Sequence, residues 1–430
     1  MNERTVLSID IGTTSLKAAI SGVFSDAGIL VYASSRVPFV CSDKKRISDC
    51  WLEALKTALK QMRKKCTAKT DLADPFFRLT GICISGNGPT IVSEDGTTLS
   101  WNEPLTVTVP NECKSLFIPR FLQFRAQYPA IWDKCSTIFS GPEYFIYKLS
   151  GKAVTVMPEE RYSETYWNTK SLYDASFSAL EQSKFPPFKL PGDCVGVVSK
   201  DAAIQLDGLL SAELPVFCGV PDFIAGLIGT ATLSPSRICD CAGSSEGINL
   251  CTKIPVYANG IRTLPSIVSG LWNEAVLISE SGVKFAAYKA KTEDKLNKTM
   301  SYDEFVNYVF DTNQKEGIDI MSELAHKVKD GVDTLKNACE KAGLKVADKM
   351  LVTGGQALNK RWMQLKCNIL NMPLCVATFE DAELTGDAVL ARFGLGEYES
   401  IQEAADSLVR ISKTFYPEQK ELTGSHNENL

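Results

Sequence analysis

The stretch Val6-Leu7-Ser8-Ile9-Asp10-Ile11-Gly12-Thr13-Thr14-Ser15-Leu16-Lys17 decides how the rest of the chain is read. Val6 to Ile11 is a short apolar, β-branched run carrying an acid near its end, the pattern of a largely buried strand. Gly12 frees the backbone at the turn, and Thr13, Thr14 and Ser15 set three hydroxyls beside it. Leu16 to Phe24 then predicts a second strand, Asp26-Ala27-Gly28 a turn, and Ile29 to Ala33 a third strand. The glycine turn therefore sits inside a hairpin, whereas a P-loop or a dinucleotide fingerprint sets it between a strand and a helix. Backbone N–H groups and hydroxyls at such a turn can hold nucleotide phosphates, and Asp10 can orient a hydrated Mg²⁺. The same residues also read as an ordinary hairpin turn with local Asp and Thr hydrogen bonds. Taken alone, the segment leaves both readings open.

Length and composition narrow the classes. A chain of 430 residues predicts two sizeable domains, drawn here at 1–230 and 231–430. Its 44% hydrophobic and 23% charged content is that of a globular protein. A formal charge of -5 gives no basic footprint for nucleic acid. The absence of a leader-like start and of a membrane-length apolar run predicts a cytoplasmic protein with no membrane partner. The 14 cysteines are scattered, and Cys239-Asp240-Cys241 has strand alternation rather than zinc-site spacing. Only His326 and His426 exist, so a histidine triad is excluded and acid–base work falls to carboxylates.

Along the chain, Ser48 predicts the N-cap of a helix to about Lys65, with Trp51, Leu55, Ala58, Leu59 and Met62 on its apolar face. Leu79 to Gly86 reads as a buried strand, followed by the loop Asn87-Gly88-Pro89-Thr90 and a hairpin around Asp95-Gly96 that delivers Trp101-Asn102-Glu103. Residues 117–150 read as helical and 151–213 as irregular. Pro215 to Asp222 is strand, turn and the start of a helix to Gly229. Arg237 to Leu250 then repeats the opening theme around Gly243-Ser244-Ser245, which suggests two related units facing each other across a cleft. Residues 300–346 are helical and charged. Met350 to Gly355 is a strand into a glycine turn, Asn359 to Leu370 a helix, Pro373 to Ala377 a strand, and Glu383 to Gly394 a last helix. The tail after Pro417 reads as frayed.

This order of motifs resembles the FGGY carbohydrate kinases, within the actin-like ATPase superfamily, over nearly the whole chain. Asp10-Ile11-Gly12-Thr13-Thr14-Ser15 is similar to the family's first phosphate motif, and Gly219-Val220-Pro221-Asp222 to its Gly-Gly-x-Asp segment. Gly243-Ser244-Ser245 stands at the second phosphate motif. Thr353-Gly354-Gly355 through Asn359 and Trp362 resembles the adenosine motif, and Glu383-Leu384-Thr385-Gly386-Asp387-Ala388 the helix that closes it.

The resemblance implies an α/β fold of two ribonuclease H-like domains facing each other across a catalytic cleft, closing on ATP, Mg²⁺ and a small sugar or polyol. Asp222 is then the candidate base; it is also a natural helix N-cap. Asp10, with Asp222, would hold Mg²⁺ through water. Gly12, Thr13, Thr14, Ser15, Lys17, Gly243, Ser244 and Gly282 fall on the phosphate side, and Gly354, Gly355 and Asn359 on the adenosine, although Asn359 also reads as a helix cap. Asn87, Trp101, Asn102, Glu103 and Asp222 would surround the sugar, with Trp101 equally at home in a core. A homodimer is compatible with the family.

The sugar side departs from the pattern. Asn87-Gly88-Pro89 stands where a Gln and a polar pair are usual, Pro104 follows Trp101-Asn102-Glu103 in place of an arginine, and Arg120 replaces a lysine. Glu246 puts a carboxylate after the second phosphate motif, where it either points away or weakens ATP binding. Two other readings follow: a catalytically weakened sugar or nucleotide sensor of the same fold, and an ATPase coupled to a protein partner.

Overall fold

The structure is a computed structural model describing residues 4–24, 28–67, 74–109, 113, 115–163, 172–243, 246–279 and 281–418. Two sheets organise it. In the first, the strands lie in the order Cys194–Val197, Pro215–Pro221, Leu79–Gly86, Thr5–Ile11, Ser15–Phe24, Gly28–Pro38. Thr5–Ile11 runs parallel to Leu79–Gly86, which runs parallel to Pro215–Pro221, while the hairpin partners Ser15–Phe24 and Gly28–Pro38 are antiparallel. The second sheet repeats this plan. Ile238–Ala242 pairs antiparallel with Glu246–Thr252 and parallel with Met350–Gly354, and Leu374–Ala377 follows in parallel beyond. Trp272–Ile278 flanks the hairpin, with Arg262–Pro265 and Ile411–Phe415 at the two edges. The recurrence of the glycine-hydroxyl hairpin is thus a recurrence of topology. Every residue of Thr5–Ile11 is buried, as expected of a strand covered on both faces.

Two helices join the sheets. Asp222–Gly229 leaves the first sheet, and Ala382–Gly394 comes from the far end of the chain. A Cβ added at Gly229 would lie 1.8 Å from the Ala382 carbonyl oxygen, and one at Gly386 2.1 Å from that of Ala225. The helices therefore touch backbone to backbone, an approach that only glycine permits. Ala388 to Ala391, with Ala404, Ala405 and Leu408 of the helix Ile401–Leu408, belong to the core of the first sheet, although they come after residue 380.

Several local expectations change. The helix Asp49–Thr67 buries the anticipated face, but the Ser48 hydroxyl donates to the Gly96 carbonyl (2.7 Å) and ties the helix start to the Asp95–Gly96 turn. Residues 117–150 are three helices, Ile118–Gln127, Pro129–Lys134 and Glu143–Ser150, broken by the strand Ile138–Phe139. Pro129 restarts the helix there, and Ile138–Phe139 completes a small sheet with Ile91–Ser93. The third strand runs on to Pro38, because its pairing with the second continues from Gly28 through one register shift at Ile20/Ser21. The Asp26-Ala27 part of the second turn and the tail from 419 lie outside the described residues. All 14 cysteines are free thiols. No helix among the described residues is long and apolar enough to cross a membrane.

Candidate active site

Three parallel strands end level with one another. Ile11 pairs with Gly86, and Gly86 with Pro221, so Gly12, Asn87 and Asp222 emerge side by side at the carboxyl edge of the sheet. That edge is where open α/β sheets place their ligands. The Asn87 N–H donates to the Ile11 carbonyl at 2.8 Å and fixes this register beyond the last strand residue.

The hydroxyls of the first turn point different ways. Thr13 Oγ1 accepts from Trp101 Nε1 (2.9 Å) and Asn87 Nδ2 (3.3 Å), so it faces those two side chains. Ser15 begins the second strand, is buried, and accepts from Arg36 Nε at 3.0 Å. Ser15, expected on the phosphate side, shares its strand face with Lys17, and its hydroxyl is engaged by Arg36. Thr14 is exposed and lends its backbone carbonyl to Phe39 N–H. The Gly12 N–H closes the turn on the Ser15 carbonyl at 2.9 Å.

Asp10 and Lys17 are cross-strand partners 2.9 Å apart. Lys17 also reaches Asp381 (3.1 Å) and Glu383 (3.2 Å), at the head of the helix Ala382–Gly394. Sequence reasoning missed Asp381, the N-cap of that helix, and placed Glu383 only in the motif of the closing helix, without its contact to Lys17. Burial opposes the Lys17 charge, but the three carboxylates outweigh it and raise its pKa well above the usual lysine value. Asp10 Oδ1 is buried without a hydrogen-bond partner, and burial lifts that carboxyl above its ordinary range against the pull of Lys17. An orphaned carboxylate oxygen in a cleft is the donor a hydrated divalent cation needs.

Asp222 opens its helix, and its Oδ1 accepts from the Phe223 N–H at 2.7 Å. Burial, then the carboxylates of Asp10 and Glu383, raise it to about 7. Asp381 is likewise raised to about 7 by burial and by Glu383 and Asp10, against Lys17. A carboxyl poised near neutrality suits proton transfer at physiological pH.

Beside Thr13 lies a small, half-open recess walled by Asn87, Thr90, Ser100, Ile47 and Trp51. Thr90 Oγ1 donates to Asn87 Oδ1 (2.9 Å), which fixes the amide. Of the remaining expected sugar residues, Asn102 is exposed, and the Glu103 carboxylate accepts from the Ser100 N–H at 3.0 Å within its own turn. Arg120 donates to the Glu103 carbonyl and holds that loop from behind.

On the second sheet, Gly243 is exposed at its turn, while Ser244 lies outside the described residues. Gly282 heads the helix Val283–Leu296, four residues beyond Ile278, whose strand partner is Glu246. It therefore lies at the same end of the sheet as the Gly243 turn. Gly354 has φ 80°, and a Cβ there would lie 1.9 Å from the Ala242 carbonyl oxygen; at Gly355 a Cβ would meet nothing within 4 Å. Gly354 thus serves the strand pairing, and Gly355 leaves open space. Asn359 is buried and fully engaged: Oδ1 caps Arg361 and Trp362 N–H, and Nδ2 donates to Asp303 (2.8 Å) and Asn307 (3.1 Å). The helix-cap reading of Asn359 is thus met, and its polar atoms are engaged within the protein. Glu246 points away from the cleft, into an ion pair with Lys366 at zero exposure.

Comparisons with known proteins agree with this arrangement. The profile of the FGGY family of carbohydrate kinases, C-terminal domain, matches residues 320–395, which include the Gly354 turn and the Ala382–Gly394 helix. A xylulose kinase of Staphylococcus epidermidis is 22% identical over 97% of this chain and 93% of its own length. Over nearly its whole length the chain is similar to carbohydrate kinases of this kind. Among solved structures, the xylulose kinase from Rhodospirillum rubrum superposes with a TM-score of 0.69 at 17% identity, covering 97% of this chain and 95% of that one. The glycerol kinase of Plasmodium falciparum with ADP gives 0.69 at 14% identity, over 96% and 94%. FGGY kinases share the two-domain, ribonuclease H-like plan that the repeated sheet topology displays here.

Proposed function

We propose that this protein transfers the γ-phosphoryl group of ATP to a hydroxyl of a small, neutral sugar, ketose or polyol, with Asp222 as the base. The observation that carries the reading is the level register of Ile11, Gly86 and Pro221, which brings Asp222 to the same sheet edge as the Asp10 turn, with Asn87 between them. None of the side chains lining the recess at Asn87 is charged, which favours a neutral acceptor over a sugar acid.

Asp222 accepts the acceptor hydroxyl's proton as the oxygen attacks. Lys17, released in part from its carboxylates, and the Thr14 hydroxyl face the transferred phosphoryl group. Gly355 lets the nucleotide approach the second sheet's backbone, and Gly243 and Gly282 border the phosphates. Mg²⁺, when bound, would offset phosphate charge, held through water by Asp10 with Asp222. In this reading residues 1–230 carry the acceptor side and residues 231–430 the nucleotide side, in a cytoplasmic enzyme.

The sensor reading drew on Gly88-Pro89 and Glu246, and it loses the second, whose carboxylate is neutralised by Lys366 rather than aimed at phosphate. The deciding experiment measures ADP release from Mg-ATP against pentuloses, hexuloses, pentitols and glycerol, with Asp222→Asn alongside. Stimulation by one compound, abolished in the variant, is expected. Nucleotide binding with no stimulated turnover across the panel would overturn the proposal.

A further inference from the structure

The second sheet carries a charged cluster that takes no part in the chemistry above. Lys366, on the helix Lys360–Leu370, has a side chain with 0% exposure, as do its partners Asp240 and Glu246. Its ammonium donates to Asp240, to Glu246, and to Gln356 Oε1 at 2.9 Å. Gln356 Nε2 in turn donates to Glu246 Oε2 at 3.3 Å. The three N–H donors of a lysine are therefore matched by three oxygens, with none left over.

The sequence positions of those oxygens give the cluster its meaning. Asp240 lies in the strand that runs into Gly243, and Glu246 is the first described residue after the Gly243-Ser244-Ser245 turn. Gln356 follows Gly354-Gly355 directly, in the short helix Gly355–Leu358. One ammonium thus grips both flanks of one glycine turn and the exit of the other. Burial works against its charge, and Asp240 and Glu246 outweigh that effect. Burial, then Glu246, pushes the Asp240 carboxyl well above its ordinary range, and its Oδ1 has no hydrogen-bond partner.

Apolar side chains of similar volume would hold a sheet and a helix together at least as well as such a cluster. What they would not supply is direction. Three hydrogen bonds to one atom fix the separation and tilt of the two turns, and a ligand held by backbone N–H groups is sensitive to shifts of that kind. We infer that Lys366 is a positioning residue for nucleotide binding, locking the Gly243 and Gly354-Gly355 turns into one cradle; this rests on the nucleotide reading given above.

The test is calorimetric titration of Mg-ADP into the full-length wild type, Lys366→Met and Lys366→Gln/Glu246→Gln, with circular dichroism as the folding control. The double variant removes the ion pair but keeps hydrogen-bonding groups, so it decides the matter should Lys366→Met not fold. Folded variants are expected to bind ADP about tenfold more weakly, with the acceptor KM within roughly twofold of wild type, since Lys366 lies on the other sheet. Wild-type ADP affinity in a folded double variant would overturn the inference, as would an equal loss on the acceptor side, which marks a general support of the fold. A wild type that binds no ADP would instead remove the nucleotide reading itself.

Discussion

Lys17 donates to Asp381 at 3.1 Å across 364 positions of sequence, joining the first hairpin to the head of a helix near the end of the chain. With Asp10 and Glu383 also within reach, one ammonium bridges a three-carboxylate floor. Lys17→Met strands those carboxylates. Because the side chain is mostly shielded, the loss should be about 2 kcal/mol in urea unfolding at pH 7. It should also cost roughly a hundredfold or more in kcat/KM, since the same charge faces the phosphoryl group in the proposed mechanism. A folded variant with wild-type turnover would contradict both roles.

The Asp222 carboxyl, raised from 3.8 to about 7, ties activity and stability to pH in opposite directions. As a base it must be ionised, so kcat/KM for the acceptor should rise with pH and level off above about 7. For stability the sign reverses. The folded state holds the proton more tightly than the unfolded chain, so stability declines as pH climbs from about 4 to about 7 and stays lowered above. Asp222→Asn should therefore abolish turnover yet raise stability by about 1–2 kcal/mol at pH 8, with little change at pH 4. Thermal melts of both proteins across that range check the sign.

The two neighbouring glycines at the end of the strand Met350–Gly354 should behave differently. At Gly354, φ 80° and a backbone oxygen 1.9 Å from the site of a Cβ make alanine a clash, and Gly354→Ala should cost about 3 kcal/mol or more. Gly355 has open space, so Gly355→Ala should leave the melting temperature near wild type. If nucleotide fills that space, the KM for ATP rises while the acceptor KM stays put. An unchanged KM for ATP would move the nucleotide elsewhere.

Asn359→Ala tests a cap against a ligand contact. The side chain caps two N–H groups and bridges to Asp303 and Asn307, so about 2 kcal/mol of stability should go. The KM for ATP should move little at temperatures where the variant is folded. A large rise in KM without loss of stability would favour the adenosine role.

Much of this was legible in the chain itself. The strand at Val6–Ile11, the glycine turn after it, the repeat of that hairpin at Gly243 and the strand-to-helix junction at Asp222 all depend on neighbours a few residues apart. Period-two burial, glycine dihedrals and helix starts are local matters, and a sequence states them. Side-chain partners across the molecule are different. The direction of Ser15 toward Arg36, the turn of Glu246 toward Lys366, and the engagement of Asn359 with Asp303 each needed the register of one element against another. The carboxylates of Asp381 and Glu383 reach Lys17 only because Gly229 and Gly386 let two helix backbones touch. The sequence by itself determined the principal strands, glycine turns and helices of the two sheets and the family they resemble. The tertiary structure alone decided which charges meet, because electrostatic partners are chosen by distance through space, and distance through space is set by packing.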